Sequence, residues 1–380
     1  MSINRIYIWG FVGTLGLFGL MFFLLPKHAF SELENRPLQQ APTLNWDHIL
    51  SKRFAEDTET YLSDHFPLRD KWVSAKSFLE QLRLQKENNG IYLGKDGYLF
   101  EKFNEPDWAQ VKAYTDALNQ FVTVHSDANI SLLLAPNAIG MYPERLPALA
   151  PAYSQREVNE EIGEQLNEAL LYLNGFDILS PAAYDTEPIY YRTDHHWTTY
   201  GAYLAYQAYA QAMGWEPLPQ EAFNIEIVSD TFLGSYHTKG QFRGVKPDYI
   251  QKYTPIVPVS SEIYIRDTDT VANSLYDEEF LNKKDQYAFF QGGVHAVMQV
   301  TSKLAATEAD IDKLLIIKDS YAHSMLPFLV HHAKEIHMLD IRFYNGSFSS
   351  YMKDNGITDA LLLFNTATFV EERSLLKLKY

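Results

Sequence analysis

Apolar positions follow three patterns along this chain, and each predicts a different kind of element. Ile6 to Leu25 (IYIWGFVGTLGLFGLMFFLL) is apolar on every face and carries no charge. At about 1.5 Å per residue such a run makes a helix roughly 30 Å long, the thickness of a bilayer core, and glycine is tolerated inside it. Its exit, Pro26-Lys27-His28-Ala29-Phe30, has no A-x-A-like cleavage pattern. The pattern therefore predicts an uncleaved transmembrane signal anchor over 6–25 behind a short cytoplasmic tail, residues 1–5. Arg5 precedes the span while Lys27 and Arg36 follow it, so the positive-inside count does not fix the orientation. The chemistry described below is what puts the bulk of the chain outside the cell membrane.

The second pattern runs from Ser31 to about Phe100 and mixes polar with aromatic residues. Phe54, Tyr61, Trp72, Phe78 and Leu82 recur at mixed helical spacings, which predicts short helices. Ile91-Tyr92-Leu93 and Tyr98-Leu99-Phe100 flank Gly94-Lys95-Asp96-Gly97, two β-prone runs around a glycine-bounded turn, and predict a hairpin. Residues 26–100 read as a helical and hairpin extension.

The third pattern alternates short, continuously apolar runs with helical periodicity. Ile130–Ala135 and Leu314–Ile317 read as buried strands, Ile336–Leu339 and Ala360–Phe364 complete the series, and a further strand is expected near Phe176-Asp177-Ile178. Asp107–Val124, Val158–Leu173, Thr198–Met213 and about Tyr321–Ala333 read as helices. The alternation predicts an α/β domain over 101–380 with a largely parallel sheet. Between Trp215 and Asp312 the pattern breaks into glycines, prolines and β-branched residues, a loop-rich β insertion at about 215–312.

Composition narrows the function. Of 380 residues 46% are hydrophobic and 14% aromatic, enough for a real core. A formal net charge of −16 argues against general nucleic-acid binding, which needs a basic footprint. With no cysteine, disulfides, thiolate catalysis and cysteine-ligated zinc are excluded together.

Two segments carry candidate chemistry. Thr193-Asp194-His195-His196-Trp197-Thr198 precedes a predicted helix, and Lys318-Asp319-Ser320-Tyr321 joins a predicted strand to the next helix. In open parallel sheets, sites form outside the carboxyl ends of the strands. At such a turn a serine hydroxyl is exposed beside backbone N–H groups able to hold an oxyanion. Serine needs a neighbouring base, and the base needs an orienting carboxylate; His196 and Asp194 supply both from one turn. Taken singly, Ser320 or Asp194 would ordinarily be a helix cap, and a single histidine a hydrogen-bonded structural residue. Metal binding by Asp194, His195 and His196, joined by His323, His331 or His332, is a second reading, weakened because consecutive ligands in one turn point apart. A third is an envelope factor that binds glycan without catalysis.

The Asp194-His195-His196-Trp197 run resembles the signature of the DHHW family, which is similar to alginate O-acetyltransferase-like proteins carrying Asp-x-His-Trp and to SGNH hydrolases. ENRPL at 34–38, SDHFPLRD at 63–70, IYLGKDGYLF at 91–100 and KDSYAHSMLPFL at 318–329 extend the resemblance over most of the chain after the span. Asp194 and His196 precede Ser320, the reverse of ordinary SGNH order, so the resemblance implies a circularly permuted SGNH-hydrolase-like three-layer domain. It makes Ser320, His196 and Asp194 a triad and leaves His195 at the variable position. Lys318 stands where SGNH hydrolases have glycine. Asn365 matches the SGNH asparagine as an oxyanion donor. Arg342 matches a basic position that would bind substrate, unless it pairs with Asp340, and Asn137 is a further candidate unless it only makes a turn. The implied activity is O-acyl transfer, above all O-acetylation, or ester hydrolysis on a cell-envelope polysaccharide. It requires no organic cofactor, and the resemblance implies a membrane-bound O-acyltransferase as partner.

Overall fold

The computed structural model describes residues 3–31, 36–43, 53–304 and 309–379. Glu34 and Asn35 of the ENRPL motif lie outside the described residues. The chain forms two compact units, residues 1–88 with 238–243 and residues 89–237 with 244–380.

The first unit is helical. Helix α1 (Ile3–Leu24) contains one stretch, Asn4–Leu24, long and apolar enough to cross a membrane, and none of its residues is buried. Helices α2 (Arg53–Asp64) and α3 (Arg69–Leu82) follow. The SDHFPLRD motif makes the corner between them. Asp64 is buried there, accepts a hydrogen bond from the Gln39 backbone N–H (2.9 Å) and pairs with Arg69 (4.0 Å).

The second unit is built on an eight-stranded sheet. A hairpin, β1 (Ile91–Leu93) and β2 (Leu99–Glu101), stands apart from it. Helix α4 (Trp108–Val124) is capped by Asp107 and leads into β3 (Asn129–Ala135). Helix α5 (Gln155–Glu164) then precedes β4 (Leu171–Asn174). Helix α6 (Thr199–Ala212) follows the DHHW run. A two-stranded ribbon of β5 (Phe223–Phe232) and β6 (Asp248–Pro255) comes next, then β7 (Ser261–Ile265), β8 (Thr270–Ala272) and β9 (Val297–Ser302). Strand β10 (Ile311–Lys318), helix α7 (Ala322–Leu329), β11 (Ala333–Asp340), α8 (Phe348–Asn355), β12 (Asp359–Asn365) and α9 (Thr366–Glu371) complete the unit.

The strand order is β8-β7-β9-β11-β10-β12-β3-β4. The five strands from β11 to β4 are parallel, and β9, β7 and β8 add an antiparallel edge. Central strands buried on both faces need continuous apolar runs; Leu314 to Ile317 and Ala360 to Phe364 are all buried. The parallel arrangement gathers the ends at Ala135, Lys318, Asp340 and Asn365 on one edge.

One expectation needs correction. Phe176-Asp177-Ile178 is not a strand but part of a short helix, Gly175–Leu179, whose first free N–H, on Phe176, is capped by Asn174 Oδ1 (3.1 Å). The strand lies just before it, at Leu171–Asn174, so the helix expected to reach Leu173 stops at Glu164. Strands β7 to β9, from the loop-rich stretch, extend the main sheet at one edge.

Candidate active site

The DHHW turn is held from below. Asp248 accepts hydrogen bonds from the backbone N–H groups of Arg192 (3.0 Å) and Thr193 (2.8 Å) and from the Thr193 hydroxyl (2.6 Å). The Thr198 hydroxyl accepts from Gly201 N–H (3.1 Å), which caps α6 and ends the turn. Gly201 is required: a Cβ there would lie 2.4 Å from the Ile189 carbonyl oxygen. Trp197 is buried and donates through Nε1 to Ser324 Oγ (2.9 Å), tying the turn to α7.

Ser320 lies in the turn between β10 and α7. His196 Nε2 is 2.7 Å from Ser320 Oγ, and His196 Nδ1 is 2.6 Å from Asp194 Oδ1. With the imidazole proton on Nδ1, the Ser320 hydroxyl donates to Nε2, the arrangement a general base needs. Asp194 Oδ2 accepts from Ser235 N–H (2.7 Å). The loop bearing Ser235 passes so close that a Cβ on Gly234 would be 2.3 Å from Asp194 Oδ2.

His195 turns away from Ser320. Its Nδ1 is 2.6 Å from Ser235 Oγ, and its ring covers one side of His196 at 3.7 Å. Tyr287 covers the other side, stacked at 3.6 Å and within 7° of parallel. The Tyr287 hydroxyl donates to Ser324 Oγ (3.1 Å) and to the Ser320 carbonyl (3.3 Å). Sequence reasoning missed Tyr287, which comes from the loop-rich stretch and bears no motif.

The other expected residues form a buried network behind the serine. Asp319 accepts from Tyr321 N–H (2.8 Å), Asn365 N–H (2.8 Å) and Asn365 Nδ2 (2.7 Å). Asn365 Nδ2 also donates to Thr368 Oγ1 (2.8 Å), and Asn137 Nδ2 donates to Tyr321 Oη (3.0 Å) and Asn365 Oδ1 (3.2 Å). Both amides are thus engaged with the protein. Arg342 makes a two-pronged pair with Asp340, Nε to Oδ1 (2.8 Å) and Nη2 to Oδ2 (2.7 Å). Lys318 is fully buried, with Nζ 3.0 Å from Asp340 Oδ2 and 2.8 Å from His323 Nε2. Among the described residues, the backbone N–H of Ser320 has no hydrogen-bond partner.

Charge follows the packing. Burial raises the Asp194 carboxyl, but the two imidazoles and the hydrogen bonds from His196 and Ser235 outweigh it and hold it well below the usual carboxylate range. Burial lowers His196 below its ordinary value; Asp194 opposes the shift, and Arg342 and Lys318 reinforce it. His196 is therefore neutral at pH 7.

Donor atoms of Asp194, His195 and His196 lie within 4.8 Å of one another, close enough for one cation. Both His196 nitrogens face Ser320 and Asp194, and His195 Nδ1 faces Ser235. His323 bonds to Lys318 and Gln291, and His332 to Asp310 and Tyr206. The donor set fits the hydrogen-bonded chain better than a metal.

Residues 174–339 match the DHHW protein family. That match contains the DHHW run and Ser320. Curated relatives are named probable alginate O-acetylase AlgJ. The one from Pseudomonas syringae pv. tomato is 26% identical over 241 residues, 59% of this chain and 58% of that protein. The one from Pseudomonas aeruginosa is 24% identical over 230 residues, 57% of this chain and 54% of that protein. The chain thus spans little more than half the length of these relatives. A crystal structure of a DHHW family protein from Eubacterium siraeum superposes with a TM-score of 0.67 at 25% identity, covering 77% of this chain and 95% of that one. Bacillus cereus PatB1 shares the fold, with a TM-score of 0.63 at 20% identity over 76% of this chain and 99% of that one.

Proposed function

We propose that this protein is a cell-envelope glycan O-acyltransferase, O-acetyl first of all, working through Ser320, His196 and Asp194. The hydrogen-bonded chain from Ser320 Oγ through His196 to Asp194, with links of 2.7 and 2.6 Å at the carboxyl edge of a parallel sheet, carries this reading. The AlgJ relatives, named for O-acetylation of alginate, support the reaction class and a uronate-type polysaccharide as acceptor.

In this mechanism Ser320 Oγ attacks the acyl carbonyl carbon of the donor while its proton passes to His196 Nε2. Asp194 holds the imidazole by Nδ1 and stabilises the imidazolium. The Ser320 N–H, in the same turn, is the first oxyanion donor. Collapse expels the donor's leaving oxygen, which takes the proton from His196, and leaves an acyl-Ser320. A glycan hydroxyl then gives its proton to His196 and attacks the acyl carbon, so the ester moves to the sugar and Ser320 is regenerated. Water in place of the sugar gives the esterase reaction. A separate cavity of about 400 Å³ flanks the DHHW turn at Arg192 and Thr198, lined also by Tyr98, Tyr142, Arg145, Asp248 and Tyr249, a mixture of rings and charges suited to sugar; Ser320, His196 and Asp194 do not line it.

In this reading α1 is a single-pass anchor, the C-terminal part is extracytoplasmic, and residues 26–100 precede a circularly permuted SGNH-hydrolase-like domain with its insertion at about 215–312. A membrane-bound O-acyltransferase would deliver the acyl group.

Ser320→Ala and His196→Ala should each lower turnover of a small acetyl ester on the order of 10⁴-fold or more, because the residues act as one unit. His195→Ala should retain most activity. A sulfonyl fluoride should leave its sulfonyl group on Ser320 Oγ, with the serine proton and fluoride lost as HF, a mass increase equal to the reagent less HF. Near-normal turnover by folded Ser320→Ala would sink the acyl-enzyme mechanism. Strong dependence on His195 with none on Ser320 would favour a metal. No activity and no labelling in the unaltered protein, with glycan still bound, would favour a binding factor.

A further inference from the structure

Helix α3 is packed the wrong way round for water. Ser77 is buried, with its hydroxyl donating to the Gln241 carbonyl (2.7 Å). Leu68, Trp72, Leu79 and Leu82, spaced to share one face, are all exposed. Leu62 and Phe66 extend the same apolar surface around the α2–α3 corner and are exposed too. A helix of a soluble domain turns its apolar stripe to the core and its polar residues outward. Here the packed side is polar and the open side apolar.

The corner is joined to α1. Phe18 stacks on Phe66 at 5.4 Å and lies 6.2 Å from Trp72, and Phe22 meets Tyr61 edge-on at 5.9 Å. At 1.5 Å per residue, Phe18 is about 9 Å along the axis from the Leu24 end of α1. Side chains stacked on Phe18 share its depth in whatever medium surrounds the helix. A helix lying in a membrane interface buries its apolar face about 5–10 Å below the surface.

We propose that the α2–α3 corner and the open face of α3 are immersed in the lipid leaflet around the C-terminal end of α1, with lipid rather than a protein as their partner. The surface is continuous with the span itself through the Phe18 and Phe22 contacts, so the medium that covers one covers the other. Trp72 and Tyr61 have the amphipathic rings found at headgroup level. Lys71 and Lys76, both exposed, have stems long enough to keep their ammonium groups in water. The proposal rests on α1 being a membrane span.

The chain has no cysteine, so one introduced thiol carries the only attached dye, chosen to be excited at wavelengths where the protein's own tryptophans do not absorb. Full-length protein would be labelled at Leu79→Cys, Leu82→Cys, Lys76→Cys or, within the span, Leu17→Cys, and reconstituted in phosphatidylethanolamine–phosphatidylglycerol vesicles. Brominated phospholipid should quench the labels at 79 and 82 as fully as the one at 17, with little quenching by aqueous iodide. The label at 76 should show the opposite. If iodide reaches 79 and 82 while 17 remains lipid-quenched, the span stands and the immersed helix is refuted. If 79 and 82 are shielded from both quenchers, a protein covers the face and the lipid assignment is wrong. If 17 is not lipid-quenched, the span reading fails and takes the proposal with it.

Discussion

Two turns meet where Ser320 faces His196, and each hangs on a buried carboxylate. Asp194 accepts from the His196 ring, the His196 N–H and the Ser235 N–H; Asp319 accepts from the Tyr321 N–H, the Asn365 N–H and the Asn365 amide. Their donors are alike in number, yet their acidities move in opposite directions. Burial raises both, and in Asp319 burial wins. In Asp194 the facing imidazoles win. Neutral amides can fix a carboxylate's position, but only a group that can become cationic gives it an electrostatic role in a proton transfer. Asp319 is thus suited to shaping the serine turn and Asp194 to assisting the base.

The largest expected effect comes from exchanging each carboxylate for its amide. Asp194→Asn should lower kcat by up to about 10⁴-fold with the fold intact, since it favours the wrong tautomer of His196. Asp319→Asn should act first on stability, costing about 1–3 kcal/mol as an NH₂ group meets buried N–H donors. Thermal melts and turnover on both variants separate the two; a mere melting shift in Asp194→Asn would erase the contrast. Next in size is Gly234→Ala. Its methyl would overlap Asp194 Oδ2 at 2.3 Å, and a displacement of about 1 Å at a catalytic group costs on the order of 10²-fold. Normal kcat in that variant would show that Asp194 tolerates movement.

A smaller effect should follow loss of the ring over His196. Tyr287→Leu should reduce kcat roughly tenfold, the value of an aromatic pair at the upper end of about 0.5–1.5 kcal/mol, and Tyr287→Phe should restore most of it. Equal losses in both would assign the effect to the hydroxyl and its bonds to Ser324 and Ser320. The smallest test is the acid limb of the pH profile. His196 must be neutral to accept the serine proton, and its pKa is lowered. Activity should therefore be present above that depressed pKa and fall as pH drops through it, with the midpoint below the ordinary histidine value of about 6.5. A midpoint above that value would mean that Asp194 outweighs burial.

The sequence was most informative where burial leaves few choices. The short apolar runs of β3, β10, β11 and β12 suit central strands in length and composition, and the turns after them sit where parallel sheets collect sites. That Ser320, His196 and Asp194 would meet was readable because a serine after a parallel strand and an Asp-x-His turn are the parts a hydrogen-bonded chain of this kind needs. Arg342 illustrates the limit: from the chain alone, a substrate contact and the observed pair with Asp340 look the same, since both demand a cation near the sheet edge. Asn365 and Asn137 matched oxyanion roles by type, but their amides face Asp319 and Tyr321, partners set by packing across long separations. Tyr287 left no signal at all, being one tyrosine among 25. Near Phe176 the expected strand is a short helix, because the Asn174 side chain caps its first turn.

The order of synthesis gives the sheet a further property. Strand β12, flanked by β10 on one side and β3 on the other, is the last of its strands to be made. The side-chain bond between Asn129 and Asp359 closes a separation of 230 residues. At about 5–20 residues per second, a ribosome needs roughly 10–50 s to cover that interval. Throughout it, one edge of β3 has no partner, and such edges invite pairing with other chains. Chains interrupted before residue 359 keep that edge open for good. A chaperone that holds β3 until β12 arrives should therefore raise the yield of folded protein more than it changes the stability of the finished one.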